Sequence, residues 1–151
     1  MLTHQTRNMT AQLMLIVGAI AVLATGADHL YEYIATHFST VPTIGTLFLL
    51  NFIAATVVGV GLLLPLHRVA KRYAASIRVL LAVSGIGIAA TSLLGLWISE
   101  SSSLFGFTDY GFRTTIVVAI IAEGIGIAAL TAYLALTHTR AAYQILRLPS
   151  R

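Results

Sequence analysis

Five residues in this 151-residue sequence carry chemically capable side chains within or at the edge of long apolar runs: Asp28, His29, Glu32, Asn51 and Glu123. On a helix, Asp28 and Glu32, four apart, share a face, and His29 and Glu32, three apart, are also neighbours. Ionisable groups at membrane depth cost several kcal/mol unless they are paired or hydrated, so each is a candidate functional residue. At a rise of about 1.5 Å per residue, His29 lies roughly 10 Å in from the nearer end of its run, Asn51 about 12 Å and Glu123 about 13 Å. Three separate segments thus bring polar groups to one level. They outline a pocket able to bind a cation, relay protons or hold the polar head of a lipophilic molecule. The structural alternative is that His29, Asn51 and Glu123 only hydrogen-bond across helices and fix their register.

A metal set of His29, Glu32 and Glu123, with Asp28 beside it, has donors that suit zinc, manganese or iron. The paired Glu-x-x-His elements of di-metal helical bundles are missing, which makes this a secondary reading. Haem is disfavoured, because His29 is the one histidine well inside an apolar run and two axial ligands from different helices are the usual requirement. His4, His67 and His138 fall at the opposite ends of the runs. With no cysteine, disulfides, iron–sulfur clusters and thiolate chemistry are excluded. No serine-nucleophile motif, phosphate loop or zincin helix is present. Gly-Ile-Gly-Ile recurs at Gly85 to Ile88 and at Gly124 to Ile127, but inside apolar runs it is a packing feature. The sequence therefore predicts no cofactor, and of the functions it allows a membrane-bound enzyme has the least support. For Glu123 it favours His29 as partner over Arg113, which lies ten residues earlier, roughly 15 Å along a helix.

The elements that must position these residues follow from composition. Hydrophobic residues make up 58% of the chain and charged residues 9%, against roughly a quarter charged in a soluble domain. Four spans of about 20 residues, the length that crosses some 30 Å of hydrocarbon, use up most of such a chain. They are expected at 11–36, 43–64, 75–99 and 113–137, with breaks at Phe38 to Pro42, Pro65 and Ser99 to Ser103. Ala24-Thr25-Gly26-Ala27 has the small residues of a signal-peptide cleavage site. The helical pattern continues past it through Tyr33, so the run from Leu13 reads as a retained first span.

Of the nine Lys and Arg residues, Arg7, Arg68, Lys71, Arg72, Arg78, Arg140, Arg147 and Arg151 fall on one side of this layout and only Arg113 on the other. By the positive-inside rule both termini are cytoplasmic. The five acidic residues, which include Glu100 and Asp109, lie in the outer loops or within spans. The net charge of +4 is spread over loops rather than gathered on a domain face, which argues against nucleic acid as a partner. His67 to Tyr73 has charges at near-helical spacing that could lie against anionic headgroups, beyond setting topology. Aromatic residues from Tyr31 to Phe38 and from Trp97 to Phe112 gather toward the outer ends, as an interfacial belt does. Glycines within every span allow close helix approach. The expected fold is a single all-α domain over 1–151, an integral membrane four-helix bundle with N-in and C-in termini.

Three short stretches share a pattern: His29-Leu30-Tyr31-Glu32, Pro42-x-x-Gly45-x-Leu47-Phe48-x-Leu50-Asn51, and Leu104-Phe105-Gly106-Phe107 leading to Arg113 and Glu123. In this layout the chain resembles small four-span bacterial membrane proteins grouped as DoxX-like. The resemblance implies a protein of the bacterial cytoplasmic membrane. DoxX is associated with quinol-oxidising and redox-linked membrane complexes, and no catalytic residue carries over from it. The expected function is that of an accessory or ligand-binding component acting through the outer pocket, with membrane lipid, a membrane-protein complex or further copies of the chain as partners. The alternative is a proton- or cation-handling transporter, or a redox-complex subunit, in which Glu123 and His29 change protonation.

Overall fold

A computed structural model describes residues 2–106 and 113–146. Long runs of Leu, Ile, Val and Ala without internal proline fold into four long helices: α1 (Leu2–Ala35), α2 (Ile44–Leu63), α4 (Ala74–Ser101) and α5 (Thr114–Leu146), with a short α3 (Leu66–Val69) between α2 and α4. Within them, Asn8–Ala35, Ile44–Leu63, Lys71–Ser101 and Thr114–Thr137 are long and apolar enough to cross a membrane. α1 passes unbroken through Ala24 to Ala27. It also begins well before residue 11, and α5 runs on beyond residue 137, so both helices extend past the apolar spans read from the sequence.

The breaks have local causes. Pro65 forbids a helical conformation at Leu64, whose backbone turns extended (φ −64°, ψ 146°) and ends α2. After α1, His37 takes a left-handed conformation (φ 63°), and a single 3₁₀ turn over Phe38–Thr40 reverses the chain. The Thr40 hydroxyl donates to the His37 carbonyl at 2.8 Å and holds the turn shut. Gly45 then passes so close to the backbone of this turn that any Cβ there would run into the Phe38 carbonyl oxygen. At the other end of the bundle, α3 is followed by a 3₁₀ turn over Lys71–Tyr73 with Lys71 at φ 43°. The stretch from His67 to Tyr73 is therefore two short turns rather than one amphipathic helix, and Arg72 lies over the Tyr73 ring at 4.7 Å.

The helices pack in the cyclic order α1, α2, α4, α5, each against its neighbours, with α1 and α4 touching across one diagonal and, among the described residues, no such contact between α2 and α5. Small residues set the spacing: Gly59 of α2 lies against Leu23 and the Ala19 carbonyl, and Gly85 of α4 against Leu130 and Val22. The close-packed apolar core, with Leu15, Ala19, Val22, Val58, Leu62 and Leu130, fills the half of the bundle toward α3. The outward faces carry exposed Ile20, Val57, Leu80, Val83, Trp97 and Ile121. A continuous apolar exterior on four such helices fits a hydrocarbon surrounding.

Candidate functional site

Where the close-packed core stops, toward the Phe38–Thr40 turn, the four helices enclose a cavity of about 410 Å³. Asp28, His29, Glu32, Asn51 and Glu123, the residues singled out in the sequence, all line it. His29, Glu32 and Glu123 are buried, with Glu123 only 1% exposed. Apolar side chains, among them Leu47, Phe48, Ile88, Leu96, Ile116 and Ala119, form most of the wall. Leu47, Leu50 and Thr91 line the cavity yet are exposed, so its mouth lies on the flank of the bundle, between α2 and α4.

His29 is held from two directions. Its Nδ1 lies 2.9 Å from the Thr25 carbonyl oxygen one turn earlier on α1. A carbonyl can only accept, so Nδ1 carries a hydrogen, and in the neutral ring Nε2 is then the acceptor. Opposite Nε2, at 3.1 Å, is Ser92 Oγ of α4. Ser92 also lies beside the carboxyl of Glu123 on α5. With Nε2 of the neutral ring as acceptor, the Ser92 hydroxyl gives its one hydrogen to His29.

The ring of His29 meets the edge of Phe48 at 5.1 Å, Phe48 meets Phe38 at 5.0 Å, and Arg113 stands over Phe38 at 5.6 Å. The guanidinium of Arg113 also lies 3.7 Å from Glu32 Oε2, which accepts the Thr36 hydroxyl at 2.8 Å. Asp28 is near enough to feel both the Glu32 and Arg113 charges. Arg113, just before α5 and ten residues ahead of Glu123, is the cationic partner of Glu32.

Several acceptors remain unmatched. Glu32 Oε1, Asn51 Oδ1 and Glu123 Oε1 are buried with no hydrogen-bond partner among the described residues. Leaving a buried polar group unpaired costs about 1–3 kcal/mol, so three such atoms around one cavity are a substantial polar demand. The metal set of His29, Glu32 and Glu123 does not assemble: among the described residues no three His, Asp or Glu side chains are placed to hold an ion, and both His29 nitrogens are engaged by Thr25 and Ser92.

Sequence reasoning missed Ser92 and the Phe38–Phe48 pair. At the opposite end, His67 is exposed, while the side chains of His4 and His138, like the whole of Asp109, lie outside the described residues. No family model, curated protein or solved structure matches the chain.

Proposed function

We propose that the chain is an integral protein of the bacterial cytoplasmic membrane, with both termini in the cytoplasm, and that it is an accessory or ligand-binding component whose cavity holds a small molecule. Eight Lys and Arg at the α3 end and in the tails against Arg113 at the other end support this orientation, which directs the cavity toward the outer leaflet. One observation carries the binding reading: Glu32, Asn51 and Glu123, each with a buried acceptor oxygen that no described residue bonds, line a cavity whose walls are mostly apolar. Pockets of this make-up, apolar walls with a few convergent polar groups, are the usual form of small-molecule sites. A structural bundle would be expected to close such a space with side chains.

The test is native mass spectrometry of the full chain released from lipid nanodiscs. A bound small molecule on the wild type that is absent from Thr91→Phe, which narrows the mouth without touching the carboxylates, is the expected result. A wild type and variant that carry the same adducts would remove the basis of the proposal.

A second reading is favoured by a buried imidazole and a buried carboxyl, His29 and Glu123, on either side of the Ser92 hydroxyl. It makes the chain a proton-handling component, alone or within a larger membrane complex. Proton flux into proteoliposomes that Ser92→Ala abolishes would select it over simple binding.

A further inference from the structure

We infer that the cavity takes a protonated amine on an apolar body, entering sideways through the mouth between α2 and α4. The inference rests on the ligand-binding reading above and narrows it to a chemical class.

The polar groups around the cavity decide the class by elimination. His29 has no free nitrogen, since Nδ1 is bonded to the Thr25 carbonyl and Nε2 to Ser92. Glu32 Oε2 is taken by Thr36 and Arg113. Of the fully buried side-chain atoms on the described lining residues, Glu32 Oε1, Asn51 Oδ1 and Glu123 Oε1 are left, all of them acceptors. A ligand that satisfies them must bring hydrogens. It should also bring positive charge, because three carboxyl groups, Asp28, Glu32 and Glu123, face a single guanidinium, that of Arg113. Glu32 and Glu123 are 5% and 1% exposed, and both line the cavity. An ammonium with N–H donors answers both demands, and charge-assisted hydrogen bonds of this kind are roughly twice as strong as neutral ones. A quaternary ammonium supplies the charge without the donors. An alcohol supplies a donor without the charge. A carboxylic acid or phosphate would meet repulsion.

The rest of the molecule must be apolar. Beyond the polar head the walls are Leu47, Phe48, Leu50, Ile88, Leu96 and Ile116. The mouth between Leu47, Leu50 and Thr91 is flanked by exposed Ile53, Leu94 and Val83, so a ligand leaves the cavity across an apolar rim.

The experiment uses the full chain in nanodiscs and saturable binding of radiolabelled 4-phenylbutylamine, with three competitors that share its body: 4-phenylbutanol, the N,N,N-trimethyl ammonium and 4-phenylbutyrate. Expected is saturable binding in which the alcohol and the trimethyl compound compete about tenfold or more weakly than the amine, and the carboxylate not at all. Glu123→Gln and Glu32→Gln should each weaken binding by about tenfold or more, and Thr91→Phe should block it while leaving both carboxyls in place. If Glu123→Gln lowers the amount of folded protein, Thr91→Phe and the competitor series still decide. Equal competition by alcohol and amine, with Thr91→Phe blocking both, would overturn the amine assignment and leave a binding cavity for neutral amphiphiles. Binding that none of the competitors displaces and that Thr91→Phe leaves unchanged would overturn the amine assignment and the pocket reading together.

Discussion

His29 Nε2 of α1 lies 3.1 Å from Ser92 Oγ of α4, a hydrogen bond across the diagonal of the bundle rather than between adjacent helices. The same hydroxyl lies beside the Glu123 carboxyl of α5. Ser92→Ala leaves the imidazole nitrogen without its partner. Interhelical hydrogen bonds in membrane bundles average about 0.6 kcal/mol and reach roughly 1.7, so the expected loss is within that range. Thermal unfolding in detergent measures it, and Ser92→Thr, which keeps the hydroxyl, should recover most of the loss. An alanine variant as stable as the wild type would mean that this hydrogen bond holds nothing together.

The chain has no cysteine, so single introduced cysteines report topology without background. Ser102→Cys, at the end of α4, and Lys71→Cys, in the turn before it, should react with an impermeant maleimide from opposite sides of intact cells. Ser102→Cys should label from outside. Equal labelling of the two from one side would refute the orientation proposed above.

Gly45 and Gly124 form a matched pair of tests. A methyl group at Gly45 would run into the Phe38 carbonyl, which is backbone and cannot swing aside, whereas one at Gly124 would meet nothing within 4 Å. Gly45→Ala is expected to destabilise by about 1–3 kcal/mol, as overpacking does. Gly124→Ala should be neutral or slightly stabilising, since alanine is favoured over glycine within a helix. Comparison of their melting temperatures in one detergent checks both.

Arg113 is 43% exposed and stands 3.7 Å from Glu32, so the pair contributes little to stability: a loss of about 1 kcal/mol or less is expected for Arg113→Gln. Its effect on binding should have the opposite sign. Removing the one positive charge near the cavity should tighten 4-phenylbutylamine by about two- to fivefold. Weaker binding in this variant would assign Arg113 an attractive part in ligand recognition.

The spans were legible because each is an apolar run, and two of the helices stop where the sequence places a break, at Pro65 and at the Ser-rich end of α4. The level of the site was legible for a related reason. Carboxyl, imidazole and amide groups are rare inside such runs, and depth along a helix follows from counting residues from its end. That placed Asp28, His29, Glu32, Asn51 and Glu123 near one another, and all of them line the cavity. Ser92 left no comparable trace. A hydroxyl within a helix ordinarily bonds its own backbone, as Thr91 does with the Gly87 carbonyl at 2.7 Å, so the sequence does not separate it from a neighbour that reaches another helix. The ion pair of Arg113 with Glu32 was missed because it depends on two chain reversals, each turning on left-handed residues such as His37 and Phe105, whose geometry no spacing rule supplies.

The rings of Phe38, Phe48 and His29 stand in edge-to-face succession, and Phe38 belongs to the very turn that Gly45 packs against. Connecting segments are ordinarily where a sequence drifts most freely, because little is built on them. Here the first connection doubles as the footing of an imidazole. A residue inserted between Thr36 and Pro42 would tilt Phe38, displace Phe48 and reach His29 without any change inside the apolar segments. Among homologous chains, the length of this loop should consequently be as constant as the helices it joins.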